Sequence, residues 1–331
     1  MNNKTLVSFI IAVLVVGGIW YFASNKQEAK LETTKVKIAN LPITDGLPLY
    51  LALEKGYFKD DGLDVELVKF EAPNQLIDAI MSGQVDFTSP SGAMGITGVA
   101  DFKNPDKVKI YVASGDDEKT PVDSVFVKAD SHITSIQELK GKKLGILPGI
   151  QWRTISTHIL AKNNLVANKD VVLVELAPSL QVTALASGEI DALLALEPMS
   201  TTLRAKGIGK EILRAAAATT IANPFFPGAG AVRVDFAMKN PHTTEKVLRV
   251  FARAIKEIRE NPDQARQYLK GYTPLDDALI AQASIHKFKM YDEITNDDIA
   301  MIQKFYDIFS TYKIVDKQMD FKHLLYSPTL N

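Results

Sequence analysis

Cysteine is absent from all 331 residues. That removes disulfides, thiolate metal sites, a cysteine nucleophile and lipid attachment through an N-terminal thiol. An excess of positive charge is missing too. The chain has 38 Lys and Arg against 39 Asp and Glu, and no basic run interleaved with aromatics offers itself to a phosphate backbone, so nucleic acid is not an expected partner. The five histidines, His132, His158, His242, His286 and His323, lack metal-ligand spacing, and no HExxH helix, GxxxxGK loop or nucleophile elbow occurs. The expectation is a protein without catalytic residues, metal or cofactor.

What is present begins with an ordinary globular composition, 46% hydrophobic and 23% charged, with room for two α/β domains. The N-terminus is the exception. Nothing charged lies between Lys4 and Lys26, and Leu6 to Ala23 is apolar apart from Ser8. That run lies at the border where a secretory segment becomes long enough to cross ~30 Å of hydrocarbon. Export is implied either way. The lack of a small-x-small cleavage site and the cluster Trp20, Tyr21, Phe22 favour an uncleaved membrane anchor over a cleaved signal. Residues 1–30 are read as this segment and its linker.

One pattern occurs twice: PNQLIDAIMSGQVD from Pro73 to Asp86 and PSLQVTALASGEID from Pro178 to Asp191. Each copy reads as a helix, a glycine stop and a strand. Asn74 or Ser179 is placed to cap the helix, Ile77 with Ile80 or Val182 with Leu185 gives the apolar face, and Gly83 or Gly188 ends it. Asp86 and Asp191 read as equivalent turn-fixing residues rather than a catalytic pair. Strands are expected at KVKIANL, in YFKDDGLDVELVKF, and at VDFTSPS, VKIYVAS, DSVFVKAD, KKLGIL, VVLVEL, IDALLAL and AVRVDFAMKN. A helix is expected at SIQELKG, another carries Trp152, Ile155 and Ile159, and a mainly helical tail follows. Alternating strands and helices imply mostly parallel sheets in two lobes. The helical tail needs a lobe to pack on, so one lobe is expected to be discontinuous: 31–119 plus 233–331 form lobe 1, and 120–232 form lobe 2.

The segments LPLYLALEKGYFKDDGLDVELVKF, SGQVDF, SGEIDA, SIQELKGKKLGI and LALEP resemble the solute-binding proteins of ABC importers. The subgroup is the SsuA/THI5-like (NMT1-like) family for sulfonates, nitrate and thiamine precursors, and the resemblance runs from about Lys35 to Asn261. It implies a type II periplasmic-binding fold, two α/β lobes joined by two crossing segments, with a solute trapped between them and passed to an inner-membrane permease. Enzymes of cofactor biosynthesis share the fold. The cysteine-rich motif of the pyrimidine synthases among them has no counterpart in this chain.

Ligands in such sheets sit beyond the carboxyl ends of strands, where helix N-termini present unpaired N–H groups. Four turns qualify: Thr44, Asp45 and Leu47; Phe70 and Asn74; Ser89, Ser91 and Gly92; and Gly149, Gln151, Trp152, Arg153 and Thr154. Glu197, in a Glu-Pro turn, joins them through the resemblance. Arg153 is either a clamp for an anion or a solvated surface residue. Trp152 either stacks on the ligand or packs in its own core. Asp45 either caps a helix or accepts a hydrogen bond from an amine or hydroxyl, and Asn74, Ser89 and Ser91 likewise have caps as their alternatives. Phe225 and Phe226 either line the hinge or pack a lobe. The expected cargo is a small organic anion such as an alkanesulfonate, with a thiamine-type pyrimidine as the alternative. The expected partners are that solute, a permease and, through the N-terminal helix, the membrane, around a monomeric and extracytoplasmic protein. A membrane-anchored sensor is a further alternative.

Overall fold

The computed structural model describes residues 34–328; the expected signal or anchor lies outside them. Among the described residues no helix is long and apolar enough to cross a membrane. Two mixed sheets carry the fold. Strands β1 (Lys35–Asn40), β2 (Asp64–Lys69), β3 (Phe87–Thr88) and β4 (Val108–Asp116) begin the first sheet. Strands β5 (Asp123–Lys128), β6 (Lys143–Ile146), β7 (Val172–Glu175), β8 (Ala192–Leu196) and β9 (Gly209–Arg214) form the second. The chain then returns, and β10 (Phe225–Arg233) and β11 (Lys287–Met290) complete the first.

The internal repeat extends to whole sheet topology. The first sheet runs β11-β4-β10-β3-β1-β2 and the second β7-β6-β8-β5-β9. In each, the strand next to one edge (β1 or β6) pairs in parallel with both neighbours, and the inner of these (β3 or β8) meets an antiparallel strand, β10 or β5. The repeated helices, Pro73–Met81 and Pro178–Ser187, connect β2 to β3 and β7 to β8. Their starts differ from expectation. Neither Asn74 nor Ser179 caps; the cap positions are Ala72 and Ala177, and the start signal is a proline in the first turn. Their ends agree. Gly83 and Gly188 adopt φ of +80° and +79°, a left-handed stop that costs a residue with a Cβ. Asp86 and Asp191 do fix the turns: Asp86 Oδ2 accepts the Lys37 N–H at 2.9 Å, and Asp191 Oδ2 accepts the Lys143 N–H at 2.8 Å.

Several expected elements change. AVRVDFAMKN is the end of β10 followed by a helix, Val234–Lys239, and SIQELKG holds only a 3-10 turn, Ile136–Leu139. Because β10 begins at Phe225, the return to the first sheet falls before that residue, not at the boundary 232–233. The helix Pro241–Glu260 buries Val247, Phe251, Ala254, Ile255 and Ile258 on one face and packs on the helix Leu47–Glu54. On its outer side Arg253 lies 3.5 Å above the Tyr57 ring centroid. The helix Asn296–Thr311, started by a Thr295/Asp298 capping box, packs against β10, the helix Met94–Lys103 and the helix Ile150–Lys162. It touches elements that follow both sheets.

Candidate functional site

The predicted turns converge where the two sheets' helices meet. Gly149 precedes the helix Ile150–Lys162 and needs its φ of +113°; a Cβ there would lie 3.7 Å from Asn74 Oδ1, so these two turns face each other. Gln151 is fully buried. Its Oε1 accepts the Gly95 N–H at 2.7 Å, and its Nε2 donates to the Pro227 carbonyl at 3.0 Å, so one side chain from the second lobe ties two segments of the first. Trp152, equally buried, donates from Nε1 to the Gly92 carbonyl at 3.2 Å. Its ring closes so tightly over Gly92 that a Cβ there would lie 3.1 Å from it. Further out along the same seam, the Tyr312 hydroxyl meets His158 Nδ1 at 3.2 Å.

Behind this seam lies a group of polar side chains with nothing to bind. Thr44 and Asp45 form the 3-10 turn after β1, and both are buried. Neither carboxylate oxygen of Asp45 has a hydrogen-bond partner, nor do the hydroxyls of Thr44, Ser91 and Ser114 or Nδ1 of His286. The cap expected of Asp45 is not made: the following helix is preceded by Gly46 and has no side-chain cap. His286 Nδ1 stands 3.6 Å from Asp45 Oδ1, beyond a hydrogen bond. Burial pushes the Asp45 carboxyl up, with His286 and then Ser114 acting against it. Burial pushes His286 down, with Asp45 opposing. These groups close directly on the Gly228 backbone, since a Cβ there would fall 2.4 Å from Asp45 Oδ2 and 2.0 Å from Ser114 Oγ.

Other expected ligand residues are engaged elsewhere. Arg153 leaves 47% of its side chain exposed and is bound to Glu175 through both Nε and Nη2. Glu197 is buried but satisfied: Arg204 Nη2 reaches it at 2.7 Å and the Thr201 N–H at 3.2 Å. Burial still raises its pKa, with Thr201 and Arg204 pulling back. It braces its own lobe. Leu47 belongs to the core around Tyr50 and Phe251, and the Thr154 hydroxyl returns to the Ile150 carbonyl. Phe70 rims an open surface depression with Gln75 and Asp78. The Ser89 hydroxyl bonds the Pro90 carbonyl, and Ser91 caps nothing, since the helix after it starts from Ala93. The small residues of that helix accept aromatic rings: a Cβ on Gly95 or Gly98 would strike Phe309 at 2.4 Å or Tyr306 at 2.7 Å. Phe225 packs edge-on to Phe305, with centroids 4.9 Å apart.

His286, Ser114 and Gly228 escaped the sequence reading. Their only signal would have been a buried polar or glycine position in an otherwise apolar strand context, and no period marks that.

Two lobes of matching strand order, joined by crossing strands and closed on a polar seam, define a periplasmic binding-protein fold of type II. The chain belongs to the NMT1/THI5-like family, whose model matches residues 43–265. A relative from Bacillus subtilis (strain 168), named "Putative aliphatic sulfonates-binding protein", is 25% identical over 98% of this chain and 94% of its own. The structure of the alkanesulfonate-binding protein SsuA from Xanthomonas axonopodis pv. citri bound to MOPS superposes with a TM-score of 0.73 at 18% identity. That match covers 89% of this chain and 99% of the other. The 4-amino-5-hydroxymethyl-2-methylpyrimidine phosphate synthase THI13 of Saccharomyces cerevisiae is 24% identical over 67% of this chain and 66% of its own.

Proposed function

We propose that this protein is an extracytoplasmic solute-binding protein that closes two lobes over a small organic molecule and delivers it to an ABC permease. The observation that carries the reading is the Gln151 bridge beside buried, partnerless polar groups. A polar group removed from water without a hydrogen bond costs of the order of 1–3 kcal/mol, so several together call for a guest that satisfies them. The names of the sulfonate-binding relatives support a small organic acid as cargo. With Arg153 and the Gly149 N–H both turned to Glu175, its acidic end would be held by backbone N–H groups at the Gly92 turn. The lobes divide as 34–116 plus 225–328 against 123–220, with 117–122 and 221–224 as the crossings, and the molecule acts as a monomer held at the membrane by its N-terminal segment.

A role in binding, not catalysis, fits a chain in which Glu197 is locked in an ion pair and Asp86 and Asp191 are spent on turns. Thermal-shift measurements against sulfonates, nitrate, pyrimidines and flavins test the proposal. A true cargo at 100 times its Kd raises stability by about 2.7 kcal/mol. Conversion of that cargo into a product would overturn the binding role.

A further inference from the structure

The buried polar cluster at Asp45 points to one end of the cargo. Resting on the solute-binding reading above, we propose that Asp45 is the subsite for a protonated amine, so that the transported solute carries an N–H-bearing cation and is not a simple alkanesulfonate or nitrate. Both Asp45 oxygens are buried and unpartnered, and an ionised carboxylate accepts hydrogen bonds without donating any. The groups around it, Thr44, Ser91, Ser114 and His286, also lack partners and can each accept a hydrogen bond. An ammonium group brings up to three donors and the compensating charge. An anion placed there would add like charge to a buried carboxylate.

Position agrees with chemistry. Asp45 stands at the carboxyl end of β1, Ser114 near the end of crossing strand β4, and Gly228 on crossing strand β10, next to the Pro227 carbonyl that Gln151 binds. A solute amine at Asp45 therefore lies at the root of the hinge, while the rest of the molecule extends toward the Gly92 and Gln151 turns. Gly228 lets the β10 backbone lie directly against Asp45 and Ser114, which any side chain there would push aside. The N–H donors could belong to the ammonium of an aliphatic zwitterion or to an aminopyrimidine that carries its proton on a ring nitrogen beside the exocyclic NH2, and matched probes separate these sources.

The test uses the full chain purified in detergent and isothermal titration with twin compounds: taurine against ethanesulfonate, β-alanine against propionate, and 4-aminopyrimidine against pyrimidine. The expected result is that, in at least one pair, the amine-bearing twin binds at least ten-fold tighter than the other. Asp45→Asn should then erase that preference while leaving the melting temperature equal or higher, because the amide removes a charge that burial disfavours in the empty protein. A merely structural Asp45 would instead lower the melting temperature. Twins that bind equally, binding confined to amine-free members, or a preference that survives Asp45→Asn each overturn the amine subsite and leave the binding role standing. If no compound of any kind binds, the solute-binding reading itself falls.

Discussion

Arg153 and Gln151 are neighbours in sequence with opposite fates, and the difference is burial. Arg153 lies on the solvent side of its helix, where Glu175 binds its Nε and Nη2, while Gln151 faces inward and joins the lobes. Sequence places both at the same helix start but cannot give the rotation of a helix with apolar residues on several sides. Replacing Arg153 by Ala should change cargo affinity less than two-fold and stability by about 0–1 kcal/mol, as for an exposed ion pair, when followed by titration and urea unfolding. Gln151→Ala leaves the Gly95 N–H and the Pro227 carbonyl buried without partners. It should cost about 1–3 kcal/mol of the closed form and weaken cargo binding ten-fold or more. Asp45 was legible as a candidate because it follows a strand. That its carboxylate would be left unpaired was not, since this depends on Ser114, Gly228 and His286 arriving from distant strands.

At the scale of elements, the repeat carried most of what could be read. Pro73 and Pro178, Gly83 and Gly188, and Asp86 and Asp191 occupy equivalent places in two equivalent helix-to-strand turns. The copies are not equally braced. Arg233 binds the Gly83 carbonyl at 2.8 Å and pairs with Asp86 at 3.2 Å, and a Cβ on Gly83 would meet its Nη1 at 2.8 Å, whereas Gly188 has open space. Alanine at either glycine should cost about 1–2 kcal/mol for the left-handed backbone, with Gly83→Ala the more damaging of the two in urea midpoints. Short strands resisted the sequence reading. β9 is half-buried with alternating charge and β11 is four residues set among helices, so neither offers enough period to separate it from a loop. In AVRVDFAMKN the apolar alternation runs on past Arg233 into the helix, which made one strand of two elements.

The whole molecule is governed by its crossings. Asp116 closes β4 and Asp123 opens β5, one on each side of the first crossing, and both are buried. Asp116 accepts the Val122 N–H and Asp123 the Ala217 N–H, each at 2.9 Å, and the other oxygen of each is buried without a partner. Burial, then the neighbouring Asp123, pushes the Asp116 carboxyl far up, and burial raises Asp123 as well. The folded protein therefore holds a proton that the unfolded chain releases near pH ~4. This contribution to stability is complete below that pH and is lost as pH rises through the raised pKa of the pair. Asp116→Asn, which mimics the protonated acid, should flatten the fall in melting temperature between acidic and alkaline buffer.

Closure itself is the central claim, and small-angle scattering of the protein with and without its cargo measures it most directly. The empty protein is expected to populate an open form, and saturating cargo to lower the radius of gyration as the Gln151 bridge forms, a shift that Gln151→Ala reduces. Identical scattering curves with cargo bound and absent would mean that the lobes do not move on binding, and would contradict it.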